Sequence, residues 1–199
     1  MKSFNWFVGI ALLVGTASVY AQEEPADAVQ TTAIAAEEGV PGGTVVNTLE
    51  VEAKVIEIDQ EARTAVLQLP SGTTLPIKVG PEAINFDQVM VGDMVRATVT
   101  EELVIKMAAE DSEKDDGAAA AAVLAPKGAM PGGALAETVR MTATVTAIDA
   151  EARTATLEFP DGQVKTVHVR SDIDLSKRTV GEKVSFEMTQ MIALSVERE

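Results

Sequence analysis

The sequence predicts an all-β protein: two small, five-stranded, barrel-like units in tandem, joined by Ala-rich, acidic, Pro- and Gly-containing linkers and preceded by a signal-peptide helix. Three observations carry this reading. "IDQEARTAVLQLPSG", starting at Ile58, returns as "IDAEARTATLEFPDG", starting at Ile148. Within each copy, apolar and polar residues alternate in short runs separated by turn residues. Between the copies the text turns to Ala, acids, Pro and Gly without such alternation.

The N-terminus reads as a cleaved secretory signal over residues 1–21. Lys2 supplies the positive start and Phe4 to Val19 the apolar run. Val19 and Ala21 are the small residues before a cleavage point after Ala21. The run falls short of the roughly 20 apolar residues that span a bilayer. The expected mature chain therefore starts at Gln22, lies in the periplasm and makes no stable membrane insertion. With no cysteine anywhere, neither a lipid anchor nor a disulfide is expected, and each unit must stand on its core. The formal net charge of −15 opposes phosphate-rich partners, so no nucleic acid is expected.

Sliding the sequence by ninety positions brings "PGG" at Pro41 onto "PGG" at Pro131 and Ala53, Val55, Ile58 and Asp59 onto Ala143, Val145, Ile148 and Asp149. After a one-residue deletion, "VGDMV" at Val91 meets "VGEKV" at Val180. The units are expected at 48–108 and 138–199, with an acidic flexible arm over 22–47 and an acidic, Ala-rich linker over 109–137. The recurrence of "PGG" at one distance before each first strand points to an arm packed on its own unit.

Each unit is expected to hold five short strands. In the second, "MTATVTAID" places Met141, Ala143, Val145 and Ala147 on one face, followed by "TATLEF", "QVKTVHV", "KVSFEM" and "MIALSV". Asp59 and Asp149 are placed to cap the first hairpin with their carboxylates, and "PSG" and "PDG" form the second. "PEAINFDQV" and "SDIDLSKRT" leave room for a turn or two of helix.

Three strands, a short helix or loop and two strands resemble the OB-fold, a five-stranded, partly open barrel. "TATVTAIDAEARTATLEFPDG" with "VGEKVSFEM" also resembles a family of bacterial exported proteins that carry such units singly or in tandem. The pattern is similar, more distantly, to the small periplasmic copper-carrier barrels of Cus-type efflux systems. That likeness implies a soft site of His and Met thioethers beside a Trp. Here the one Trp, Trp6, lies in the signal, and the one His, His168, aligns with Lys78. His168 is expected to point outward. Met188 continues the inward series of Val184 and Phe186, and Met191 is expected at a loop tip.

Other chemistries find less support. "DSEKDDG" misses the Gly and Glu of a calcium loop, with Asp116 and Ala122 at those places. Asp59/Glu61 and Asp149/Glu151 flank hairpins beside Arg63 and Arg153, which suits turn capping and surface ion pairs better than acid–base work. No nucleophile elbow or phosphate loop occurs, so no enzyme and no cofactor are expected. The leading expectation is a non-enzymatic exported module that binds a protein or small ligand in the periplasm. By OB analogy its contacts are Arg63, Arg153, Lys165, His168 and Arg170. The alternatives are a soft-metal carrier using His168, Met188 and Met191, and a structural spacer. The oligomeric state stays open.

Overall fold

The computed structural model describes residues 27–81, 83–109 and 112–198; the expected signal peptide lies outside them. The chain is all-β, and its only helices among the described residues are short 3-10 turns. The first half runs β1 (Ala28–Ala35), β2 (Gly42–Asp59), β3 (Thr64–Gln68), β4 (Thr74–Lys78), a turn at Phe86–Gln88 and β5 (Met94–Ala108). A turn at Ser112–Asp115 leads into the second half: β6 (Gly117–Leu124), β7 (Gly132–Asp149), β8 (Thr154–Glu158), β9 (Val164–His168), a turn at Leu175–Lys177 and β10 (Lys183–Glu197).

Two separate barrels are not what these strands form. They join in one open antiparallel sheet of ten strands, ordered β4-β3-β2-β5-β10-β7-β8-β9, with β1 on β2 and β6 on β7. The expected fourth and fifth strands of each unit are one continuous strand, fifteen residues long in both β5 and β10. The reason is local: "TEEL" and "TQMI" hold no Gly, Pro, Asn or Asp to turn the chain. Met191, expected at a loop tip, therefore sits inside β10, opposite Thr100 and Ala136.

The segments expected as flexible arm and linker also carry strands. β1 and β6 fold back on β2 and β7, whose first residues are the "GG" of each "PGG". Glycine is required there by crowding. A Cβ on Gly42 would lie 2.1 Å from the carbonyl oxygen of Ile105, and one on Gly43 2.8 Å from that of Ala35. On Gly132 and Gly133 it would come within 2.9 Å and 2.8 Å of the oxygens of Leu194 and Val123. The flanking strands close in on a backbone that has no side chain to hold them off.

Both cores lie on the same face of the sheet. Val95 and Val196 are directly paired across β5 and β10, and both pack against Ala53, Val55, Leu67, Phe86 and Val89. Val184 and Phe186, further along β10 at even positions, pack against Ala143, Val145 and Leu157. Thus β10 supplies side chains to both cores. A bulge between Val55 and Glu57, repeated between Val145 and Ala147, turns Ile58 and Ile148 inward as well. It also turns Ala147 outward, against simple alternation. "VGD" and "VGE" close on these bulges, with Gly92 and Gly181 donating to the carbonyls of Val55 and Val145.

Because Val196 belongs to the second half but packs on the first core, Val196→Ala is expected to cost about 1–2 kcal/mol. It should also raise amide exchange over residues 53–67. Hydrogen-exchange mass spectrometry checks this, and a rise confined to β10 would show that the halves fold independently.

Candidate functional site

The arginines expected as contacts on a ligand-binding face are occupied within the fold. Arg63 and Arg153 close the repeated first hairpins with positive φ of 55° and 53°. Asp59 and Asp149 accept from the amides of Ala62 and Ala152, both at 2.8 Å, as the capping expectation required. The Arg63 guanidinium then donates to the carbonyls of Gly80 at 2.6 Å and Ala83 at 2.9 Å and lies 5.2 Å from the centre of the Phe86 ring. Arg153 repeats this on the carbonyls of Arg170 and, at 2.9 Å, Ile173. Each arginine satisfies carbonyls of the loop that covers its own core, so these side chains tie down the fold.

Arg170 is a clasp between the halves. It is paired with Asp172 at 2.8 Å and donates to the carbonyls of Glu37 at 2.8 Å and Val40 at 3.1 Å in the β1–β2 loop and of Gly42, the first residue of β2, at 2.6 Å. Asp172 accepts from the Gly39 amide at 2.9 Å. The guanidinium and then this amide hold the Asp172 carboxyl below the usual carboxylate range. The other half answers in kind: buried Asn85 donates to the Pro126 carbonyl at 2.9 Å and accepts from the Gly128 amide at 3.1 Å in the β6–β7 loop. The sequence marked neither Asp172 nor Asn85. Their partners are some forty to a hundred and thirty residues away, and no local pattern announces such a pairing.

His168 is exposed near the β9 end, opposite Thr154, and Lys165 is exposed over the Phe159 ring at 5.7 Å from its centre. The soft-metal set does not converge. Met188 and Met191 are three residues apart on one strand and so face opposite sides of the sheet. His168 lies three strands away from β10 in the sheet order, which is about 14 Å in strand spacings alone. Among the described residues, no group of three or more His, Cys, Asp or Glu is placed to hold a metal ion.

A different surface stands out on the core face between the two cores. There the sheet is six strands wide, ordered β1-β2-β5-β10-β7-β6. Leu135 and Ile192 are directly paired, as are Gly133 with Leu194 and with Leu124, so Leu124, Leu135, Ile192 and Leu194 share this face in adjoining rows. They are exposed by 55%, 42%, 40% and 50%. The next row is polar: Asn47, Glu101, Gln190 and Glu137 are paired in line, with Gln190 donating to Glu101 at 3.2 Å. Among the described residues of these six strands, the pairing register puts no Lys or Arg on this face. The alternation of "IALSV" marked one apolar face, but a closed barrel would have buried it.

No protein-family model matches the chain, and no curated protein matches it in sequence.

Arg63→Ala and Arg153→Ala are each expected to destabilise by about 1–3 kcal/mol in chemical denaturation, because they orphan carbonyls over the core. A neutral result would return these arginines to the ligand-binding surface. The clasp has its own signature. The folded carboxyl of Asp172 titrates below its ordinary value of 3.8, so its stabilising contribution is complete above that pH and is lost as pH falls through the lower folded value. Arg170→Ala should raise amide exchange over residues 37–42 at neutral pH, a rise the wild type should show only in strong acid.

Proposed function

We propose that this chain is a non-enzymatic, exported interaction module of the periplasm whose core face receives an apolar, basic segment of a partner protein. The observation that carries the reading is the cluster of Leu124, Leu135, Ile192 and Leu194, exposed on one sheet face beside the acidic row of Glu101 and Glu137. Contiguous exposed apolar surface with a polar border marks an interaction site. The acids select the sign of the partner. A basic group brought over Glu101 or Glu137 meets no Lys or Arg on this face among the described residues of the six strands, whereas an acidic one adds like charge to a chain of net charge −15. The arginine ties and the reciprocal loop clasps fit this role, because they hold the sheet rigid before binding and reduce the ordering cost of association. No cofactor takes part.

A fluorescent amphipathic peptide of Leu and Lys is the probe, and a Leu/Glu peptide of the same pattern is the control. The Leu/Lys peptide is expected to bind with an affinity that falls with added salt, and the Leu/Glu peptide to bind poorly. Leu194→Asp with Ile192→Asp, both exposed, should weaken Leu/Lys binding about tenfold or more. Equal binding of both peptides, or an unaffected variant, would remove the core face from consideration.

A further inference from the structure

Among the described residues, the sheet has four strands with one unpaired edge: β4, β9, β1 and β6. Such edges carry free backbone donors and acceptors, which proteins usually blunt with Pro or Lys. β4 holds Pro76 and Lys78, and β9 holds Lys165 and His168. β1, "AVQTTAIA", and β6, "GAAAAAVL", hold neither a charge nor a proline, and almost every residue of both is exposed. A paired neighbour would satisfy these edges, and the residues flanking them say which neighbour.

An edge of this sheet meets its partner in the antiparallel sense, as every pairing within the molecule does. β1 is flanked by Asp27 at its start and by Glu37 and Glu38 beyond its end. Two antiparallel copies of β1 would therefore set acid against acid at both ends. β6 is flanked by Asp115 and Asp116 at its start and by exposed Lys127 beyond its end. β1 against β6 would match Asp27 with Lys127 but set Glu37 and Glu38 against Asp115. Only β6 against β6 is favourable at both ends, each Lys127 facing the Asp115 of the other copy.

We propose that the β6 edge is a self-association surface, and that two copies of this chain pair β6 to β6 about a two-fold axis to extend the sheet across the dimer. The chain already joins its own halves in this way: β5 and β10, equivalent strands of the repeat, pair edge to edge over fifteen residues. The pairing is isologous, so it closes at two copies and does not propagate. Within each copy, the pairing leaves the core face proposed for partner binding open.

Sedimentation equilibrium of the full mature chain over a wide micromolar range tests this, with circular dichroism to confirm unchanged strand content. The wild type should be a dimer in equilibrium with monomer. Ala120→Lys with Ala122→Lys, on exposed β6, should be monomeric, whereas Thr31→Lys on β1 should dimerise as the wild type does. Lys127→Asp should weaken the dimer about fivefold or more, since two ion pairs are lost, and adding Asp115→Lys should restore it. A monomeric wild type, a dimer that survives the β6 lysines, a dimer lost with Thr31→Lys, or a charge exchange that restores nothing would each overturn the proposal. Peptide binding to the core face is read separately and does not depend on these outcomes.

Discussion

The antiparallel pairing of β5 with β10 is the constraint on which the rest of the structure depends. Each strand leaves its own half and runs fifteen residues along its equivalent in the other. That length places Val196 on the first core while Val184 and Phe186 stay on the second. Each half is near the size at which an independent hydrophobic core becomes marginal. Sharing strands lets the first core draw apolar area from the second half through Val196, and the backbone ladder at the junction is continuous with the ladders on either side. Two small units thereby become one sheet.

The hairpins β1–β2 and β6–β7 follow from the same junction. Once β5 and β10 are aligned, the first parts of β2 and β7 extend beside them toward the opposite core. The loops at their tips arrive at the other half, where Arg170 with Asp172, and Asn85, receive them. The bonds run to backbone carbonyls and amides, so they fix loop position whatever side chains the loops display. The glycines of "PGG" belong to this arrangement, because they let β2 and β7 lie close between neighbours on both sides.

Much of the local structure was legible in the sequence. The repeat, the Asp-capped hairpins, the Pro-Gly turns and the single helical turn before β5 and β10 are short-range features, and turn chemistry specifies them. Strand ends were less legible. The sequence pattern breaks β10 between "KVSFEM" and "MIALSV", although neither "TQMI" nor its counterpart "TEEL" holds a residue that turns the chain. β6 was hidden by its composition, since a run of Ala has low strand propensity and is recruited only by the waiting edge of β7. The site suffered in the same way. Arg63, Arg153 and Arg170 were visible as charges, but their acceptors are carbonyls brought close by the fold, and a sequence does not display carbonyl directions. The soft-metal set does not converge, partly through strand parity, which becomes readable once Met188 and Met191 are known to share a strand, and partly because His168 lies three strands away from β10.

The centre of the β5–β10 ladder has a consequence of its own. The repeat alignment equates Glu101 with Gln190, and these two residues are each other's partners across the junction. If the two halves were identical chains, this position would face itself: two carboxylates side by side, or two amides. Covalent joining removes that restriction, because the two sides of the axis are encoded separately. One side keeps the acid and the other offers a donor, so a self-repelling pair becomes the hydrogen bond from Gln190 to Glu101. A fused pair can thus hold a charge on its symmetry axis without the like-charge repulsion that an assembly of identical halves would bear.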